Sequence, residues 1–205
     1  VFLLLAALAL LGGCGSDGPS DGRKTIGVTL LSQSQDFYRD LEEGLRAEAE
    51  RAGYRVIVQS AEFDPAVQAR QLEDFVTKRV DAVVLCPCDS DTVAASLRPV
   101  VKAGIPIFTA DIAAKNATVV AHVASDNTQG GRLAGETMAK LLEGKGEVLV
   151  IDHPTVSSVQ DRTNGFVEAL GAHPAMTIVA RPSSDGQRAK AQSVMEDALT
   201  SYPNL

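Results

Sequence analysis

The sequence predicts an α/β fold, parallel sheets with helices on both faces, and three observations predict it. Short apolar runs recur at βαβ spacing, starting at residues 25, 54, 82 and 105. Helical periodicity fills the intervals between them. The runs themselves, VIV at 56–58, AVVL at 82–85 and IPIF at 105–108, show no polar alternation, the pattern of strands covered on both faces rather than one.

At the N-terminus, Val1 to Leu11 are all apolar. The run fits the about 7–15 residues of a secretory h-region and falls short of the about 20 helical residues that span a bilayer. No Met and no basic segment precedes it, so the expectation is a signal peptide over residues 1–13 whose start lies upstream of Val1. Leu11-Gly12-Gly13-Cys14 follows and resembles the lipobox of bacterial lipoproteins. That resemblance implies cleavage before Cys14 and acylation of Cys14. Residues 14–23 then form a lipid-anchored linker, since Gly15 to Gly22 (GSDGPSDG) holds too little apolar surface to fold.

Folding is expected from residue 24. Thr25–Leu31 reads as the first strand, and from Phe37 a helix places Leu41, Leu45, Ala49 and Ala52 on one face before Gly53 stops it. Strand Tyr54–Val58 leads to helix Pro65–Lys78, strand Ala82–Leu85 to helix Thr92–Ala103, and strand Ile105–Thr109 follows. A fifth strand, Val119–Val123, precedes Ser125-Asp126-Asn127, side chains suited to cap a helix whose apolar face carries Ala134, Met138, Leu141 and Leu142. The alternation restarts with strand Glu147–Ile151, helix Ser158–Leu170, strand Met176–Ala180 and helix Gln187–Ser201. Two units are therefore expected, 24–126 and 127–205. Leu205 arrives where a further strand would follow Tyr202-Pro203, so the second unit is expected to be incomplete.

With 26 acidic residues against 19 basic ones and a net charge of −7, the chain is poorly suited to a phosphate backbone, and no nucleic-acid partner is expected. Three cysteines are too few for a disulfide scaffold and lack zinc-finger spacing. There is no GxGxxG after the first strand, no Walker loop, no GxSxG and no HExxH, so the sequence implies no cofactor, no metal and no catalysis. Asp152-His153 stands without an identifiable nucleophile and reads as a polar pair at a strand end. His122 and His173 read as structural.

In open parallel sheets a ligand lies beyond the carboxyl ends of the strands. That singles out Ser32–Tyr38, Cys86–Asp91, Asp111–Ile112, Asp152–Gln160 and Arg181–Gly186. These loops supply Ser32, Gln33, Gln35, Phe37, Tyr38, Asp111 and Gln160: hydroxyls, amides, a carboxylate and two adjacent aromatics. The mixture suits a polyol, whose C–H faces pack on rings and whose hydroxyls both donate and accept.

From Thr25 to Leu205 the chain resembles the type I periplasmic sugar-binding proteins of the ribose-binding group, which serve ABC importers. The carrying segments are Ile26-Gly27-Val28, Phe37-Tyr38, Gly104-Ile105-Pro106, Ala124-Ser125-Asp126-Asn127 before Gly130-Gly131, Asp161-Arg162 before Gly165-Phe166, and Arg188-Ala189-Lys190. The resemblance implies two α/β lobes that close on one ligand, with the second lobe partial here. It implies a first hinge crossover at Ser125, Asp126 and Asn127. It also matches Asp111 to the family's hydroxyl-accepting carboxylate, Phe37 and Tyr38 to its sugar-packing aromatics, and Cys86 to a position that often carries an amide facing the cleft.

Three departures separate the chain from ribose binders. Ile112 stands where they have an arginine beside the aspartate, Gln160 replaces the ligand-contacting arginine two residues before Arg162, and Gly186 holds the place of an aromatic. Exchanging guanidinium forks for Ile and Gln removes directed polarity, so ribose itself is not the expected ligand. Cys86 and Cys88 make an incomplete metal site and read as small packing residues. The expected protein is thus a monomeric, lipid-anchored solute-binding component in the periplasm or at the cell surface. It takes a sugar or polyol through Ser32, Gln35, Phe37, Tyr38, Cys86, Asp111, Gln160 and Arg162, and it docks on a membrane permease. A sensory receptor for a kinase or chemoreceptor is the alternative.

Overall fold

Strands β1 (Thr25–Leu30), β2 (Arg55–Ser60), β3 (Ala82–Leu85), β4 (Ile107–Ala110) and β5 (Ala121–Val123) form a parallel sheet in the order β2-β1-β3-β4-β5. The computed structural model describes residues 22–205, so the expected signal segment and Cys14 lie outside the described residues. From β1 the chain steps outward to β2 and then returns to pair β3 on the other side of β1. The loops after β1 and β3 therefore diverge and open a crevice at the carboxyl ends of the strands.

The apolar strands follow from having helices on both faces. Leu72 and Phe75 of α2 (Pro65–Thr77) and Val93, Leu97 and Val100 of α3 (Val93–Lys102) bury Val83, Leu85 and Ile107 on one side. On the other, α1 (Asp36–Arg51) brings Tyr38, Leu41 and Leu45 onto Val28, Leu30 and Val84. A Cβ at Gly27 would lie 2.7 Å from the Phe75 ring, so β1 carries no side chain where α2 closes on it. Asp64 starts α2 by accepting from the Ala66 and Val67 amides at 2.7 and 3.2 Å, with Pro65 in the first turn.

Beyond β5 lie α4 (Asn127–Leu141), β6 (Lys145–Leu149), α5 (Ser157–Leu170), β7 (Ala175–Ala180) and α6 (Arg188–Ser201). Among the described residues β6 and β7 form a parallel two-stranded sheet, extended by a bridge between Asp152 and Ser183. Helices α4 and α5 cross closely because glycines line the contact. A Cβ on Gly131 would lie 1.8 Å from the Arg162 carbonyl oxygen, and one on Gly165 would lie 2.1 Å from that of Thr128.

Strands β2 and β7 begin within one residue of the expected starts, and β4, β5 and β6 differ by two, β5 beginning at Ala121 rather than Val119. Strand β4 begins at Ile107 rather than Ile105, since Pro106 has no amide hydrogen to give the ladder. Strand β6 begins at Lys145, two residues early, because backbone pairing of Lys145 and Gly146 with Ala175 and Met176 needs no apolar side chain there.

Candidate functional site

A cavity of about 320 Å³ lies where the two sheets present the carboxyl ends of their strands. Leu31 follows β1, Asp111 and Ile112 follow β4, His153 and Val156 follow β6, and Gly186 follows β7. The first turn of α1 and the first two turns of α5 complete the wall with Phe37, Tyr38, Ser158, Val159 and Arg162, and Gln35 stands at the α1 N-cap. Gln35 and Gly186 also border a wider groove of about 620 Å³ that takes in Glu62, Phe63 and Arg188.

The two units touch around this cavity through backbone and amide hydrogen bonds. Ser90, fully buried, donates its amide to the Thr155 carbonyl at 2.9 Å and accepts from the Ser157 amide on Oγ at 2.9 Å. Ser157 Oγ in turn accepts from the Ala113 amide at 2.8 Å. At the far rim Gln35 Nε2 donates to the Gly186 carbonyl at 2.7 Å.

Asp111 and Tyr38 form the polar centre, the Tyr38 hydroxyl donating to Asp111 Oδ2 at 2.8 Å. Burial pushes the Asp111 carboxyl above its ordinary value, against the Tyr38 hydrogen bond and the charges of Arg162 and His122. Tyr38 is pushed far above an ordinary phenol, first by burial and then by the Asp111 charge, and so stays a neutral donor. Asp111 holds φ 61°, in the left-handed region, while its amide donates to the Val123 carbonyl at 2.9 Å. Glu62 (φ 48°), Phe63 (φ 65°) and Asp185 (φ 50°) share that conformation close by.

Phe37 is 52% exposed at the rim and meets the Tyr38 ring edge-on, centroids 5.1 Å apart. The arrangement offers a ring face and a carboxylate acceptor, held in place by the Tyr38 hydroxyl, within one cavity, chemistry that suits a polyhydroxylated neutral molecule. Its remaining wall is aliphatic, and Leu31, Ile112, Val156 and Val159 belong to one packed cluster that spans both units.

Of the residues expected at the site, Gln35, Phe37, Tyr38, Asp111 and Arg162 line this cavity; Ser32, Cys86 and Gln160 do not. Ser32 is fully buried and donates its hydroxyl to Glu62 at 2.7 Å. With Ser60, the backbone of Gln33 and Ser32 all donating to it, the Glu62 carboxyl lies below its ordinary value. Gln160 bridges instead, donating to the Pro154 carbonyl at 2.6 Å and accepting from Lys115 Nζ at 2.7 Å.

Cys86 is buried against the Gln68 amide, which donates to the Cys86 carbonyl at 3.0 Å and accepts from the Cys88 amide at 2.9 Å. Burial pushes the Cys86 thiol up, and the Cys88 thiol up to about 12, so neither is a thiolate at neutral pH. Among the described residues no group of three or more His, Cys, Asp or Glu is placed to hold a metal ion. Ser125, Asp126 and Asn127 join β5 to α4, where Asp126 caps the helix by accepting from the Gln129 amide at 2.8 Å.

Leu31, His153, Val156, Ser158, Val159 and Gly186 line the cavity as well. Five of these six fall within the strand-end loops that the parallel-sheet pattern singles out. His153 reads in sequence as half of a strand-end polar pair with Asp152, and the aliphatic residues look like core.

Residues 26–205 match the periplasmic binding protein domain family. The chain is 30% identical over 184 residues to the ribose import binding protein of Escherichia coli, covering 89% of this chain and 62% of the relative. It is 30% identical over 213 residues to the ribose import binding protein of Bacillus subtilis, covering 99% and 69%. The crystal structure of the Caulobacter myo-inositol binding protein superposes with a TM-score of 0.83 at 28% identity, covering 90% of this chain and 63% of that one. The chain thus spans less than two thirds of the length of the Escherichia coli and Caulobacter proteins. By its sequence and its α/β architecture, the chain belongs to the periplasmic binding protein domain family.

Proposed function

We propose that this protein is the solute-binding component of an ABC importer and takes a monosaccharide or polyol between two α/β lobes, 24–126 and 127–205, that close on it. The observation that carries this reading is the Tyr38–Asp111 pair. A desolvated carboxylate accepts from ligand hydroxyls, and a hydroxyl held at 2.8 Å from it orients that acceptor beside an exposed aromatic ring. Closure follows from a ligand that bridges Asp111 on one lobe and the α5 turn on the other, which favours the closed population by its differential affinity. Ser125 to Asn127 serve as one hinge crossover, and a membrane permease reads the closed form.

Ile112 and the tied-up Gln160 leave the site with fewer free donors than a ribose site built on two arginines, so we assign it a less polar or differently substituted polyol. The apolar segment before Cys14 supports a lipid anchor on that residue, with Gly15 to Gly22 as the tether at the membrane surface. Among the described residues no helix is long and apolar enough to cross a membrane.

A thermal-shift screen with D-ribose, D-allose, xylitol, myo-inositol and amino-acid controls tests the reading. One sugar or polyol is expected to raise the melting temperature, by the equivalent of about 2.7 kcal/mol at a hundredfold excess over Kd. Asp111→Ala is expected to abolish that shift. A shift with an amino acid and with none of the carbohydrates would overturn the assignment, as would a sugar shift that survives Asp111→Ala.

A further inference from the structure

His153 carries chemistry that the fold leaves unused. It sits in the turn between β6 and α5 with 8% of its surface exposed, and it lines the cavity that holds Tyr38 and Asp111. The ring lies against Phe63, centroids 6.5 Å apart, and against the backbone of Gly186, where a Cβ would stand 3.0 Å from His153 Nδ1 and 3.2 Å from Phe63 Cε1. Gly186 holds φ +71°, so both its conformation and its missing side chain let the two rings close around it.

Packed on two sides, the imidazole forms no hydrogen bond to another described residue through either ring nitrogen. Polar groups held among packed rings find partners, and a ligand in the cavity that His153 lines can supply one. Burial pushes its pKa below the ordinary histidine value, while Asp185, Asp152 and Asp89 pull it up and Lys190 pushes it down. At neutral pH the ring is therefore neutral, with one nitrogen donating and the other accepting. A ligand hydroxyl has the same two-way capacity. The neighbouring carboxylates, with Asp111 across the same cavity, disfavour an anionic ligand.

We infer that His153 is a specificity-determining residue of the cleft, where it hydrogen-bonds a hydroxyl of a neutral sugar or polyol through a ring nitrogen. This rests on the carbohydrate reading of the site and adds a further polar contact from the second unit to it. Phe63 and Gly186 are positioning residues that fix the ring plane.

Isothermal titration of the full chain at pH 7.5 tests the inference, using whichever of D-ribose, D-allose, xylitol and myo-inositol binds best. His153→Phe keeps a ring against Phe63 and Gly186 but has no nitrogen, and is expected to weaken binding by about tenfold or more. His153→Gln keeps a donor and an acceptor and is expected to stay within about threefold of the wild type. Singly deoxygenated analogues complete a cycle: at one position, loss of the hydroxyl weakens the wild type and leaves His153→Phe unchanged.

Equal affinity of His153→Phe and wild type overturns the inference and leaves the carbohydrate reading intact. So does an equal loss in the Phe and Gln variants, which marks a packing role. A wild type that binds none of the four overturns both. Should His153→Phe not fold, His153→Leu takes its place under the same criteria.

Discussion

Asp111 gathers most of what one residue does here. Its left-handed backbone turns the chain at the end of β4, and its half-buried carboxyl is steadied by one hydroxyl, that of Tyr38. Tyr38→Phe removes that donor and leaves a desolvated oxygen short of a partner, a loss of about 1–3 kcal/mol. Because the Tyr38 bond holds the Asp111 pKa down, the variant is also expected to bind sugar more weakly and to lose affinity at a higher pH on acidification. Urea denaturation and a pH series of calorimetric titrations measure the two effects. Asp111, Tyr38 and Phe37 were legible in sequence because a strand end and a helix start fix where such side chains go. Ser32 and Gln160 were not, since their directions are set by Glu62, 30 positions away, and Lys115, 45 positions away.

At the scale of elements, the α4–α5 crossing is the contact with least room. Ala generally stabilises a helix relative to Gly by about 1 kcal/mol. Gly131→Ala nonetheless places a methyl 1.8 Å from a backbone oxygen that cannot swing aside. The overlap outweighs propensity, and a net loss of about 2–3 kcal/mol is expected. The oxygen belongs to Arg162, which lines the cavity, so binding of the proposed ligand is expected to weaken as well. Gly44 in α1 meets nothing within 4 Å, and there Gly→Ala is expected to stabilise by about 0.5–1 kcal/mol. Thermal melts of the two variants settle the opposed signs. Periodicity revealed the helices that turn an apolar stripe inward, and also α6, which buries only Ala198. It was silent on the closeness of the α4–α5 crossing, which depends on small residues meeting in space.

For the whole molecule, acid sensitivity separates into two windows. His153 has a folded pKa below its ordinary 6.5, so the stability linked to it is complete above pH 6.5 and is lost as pH falls from there through the lowered value. Glu62 and Asp185 have folded pKa values below their ordinary 4.5 and 3.8, so their contributions persist above those values and fade only at more acid pH. Both are largely exposed, and solvent screening keeps them small. Without sugar, the wild type is therefore expected to lose more melting temperature than His153→Gln between pH 7.5 and 5, and parallel decline of the two would refute the assignment of that window. The division into two sheets was visible in the restart of the βα alternation after Asp126. The way the units meet was not, because Ser90, in a loop that carries no periodicity, reaches Ser157 at the start of α5 across 67 positions.

The left-handed residues around the cleft give the molecule an evolutionary vulnerability. Glu62, Phe63, Asp111 and Asp185 each hold a conformation that costs a side-chain-bearing residue about 1–3 kcal/mol. Glycine would relieve all four, and asparagine would suit the two aspartates. A lineage or a laboratory screen rewarded for heat tolerance alone would accumulate such replacements first, gaining degrees while its grip on cargo decayed.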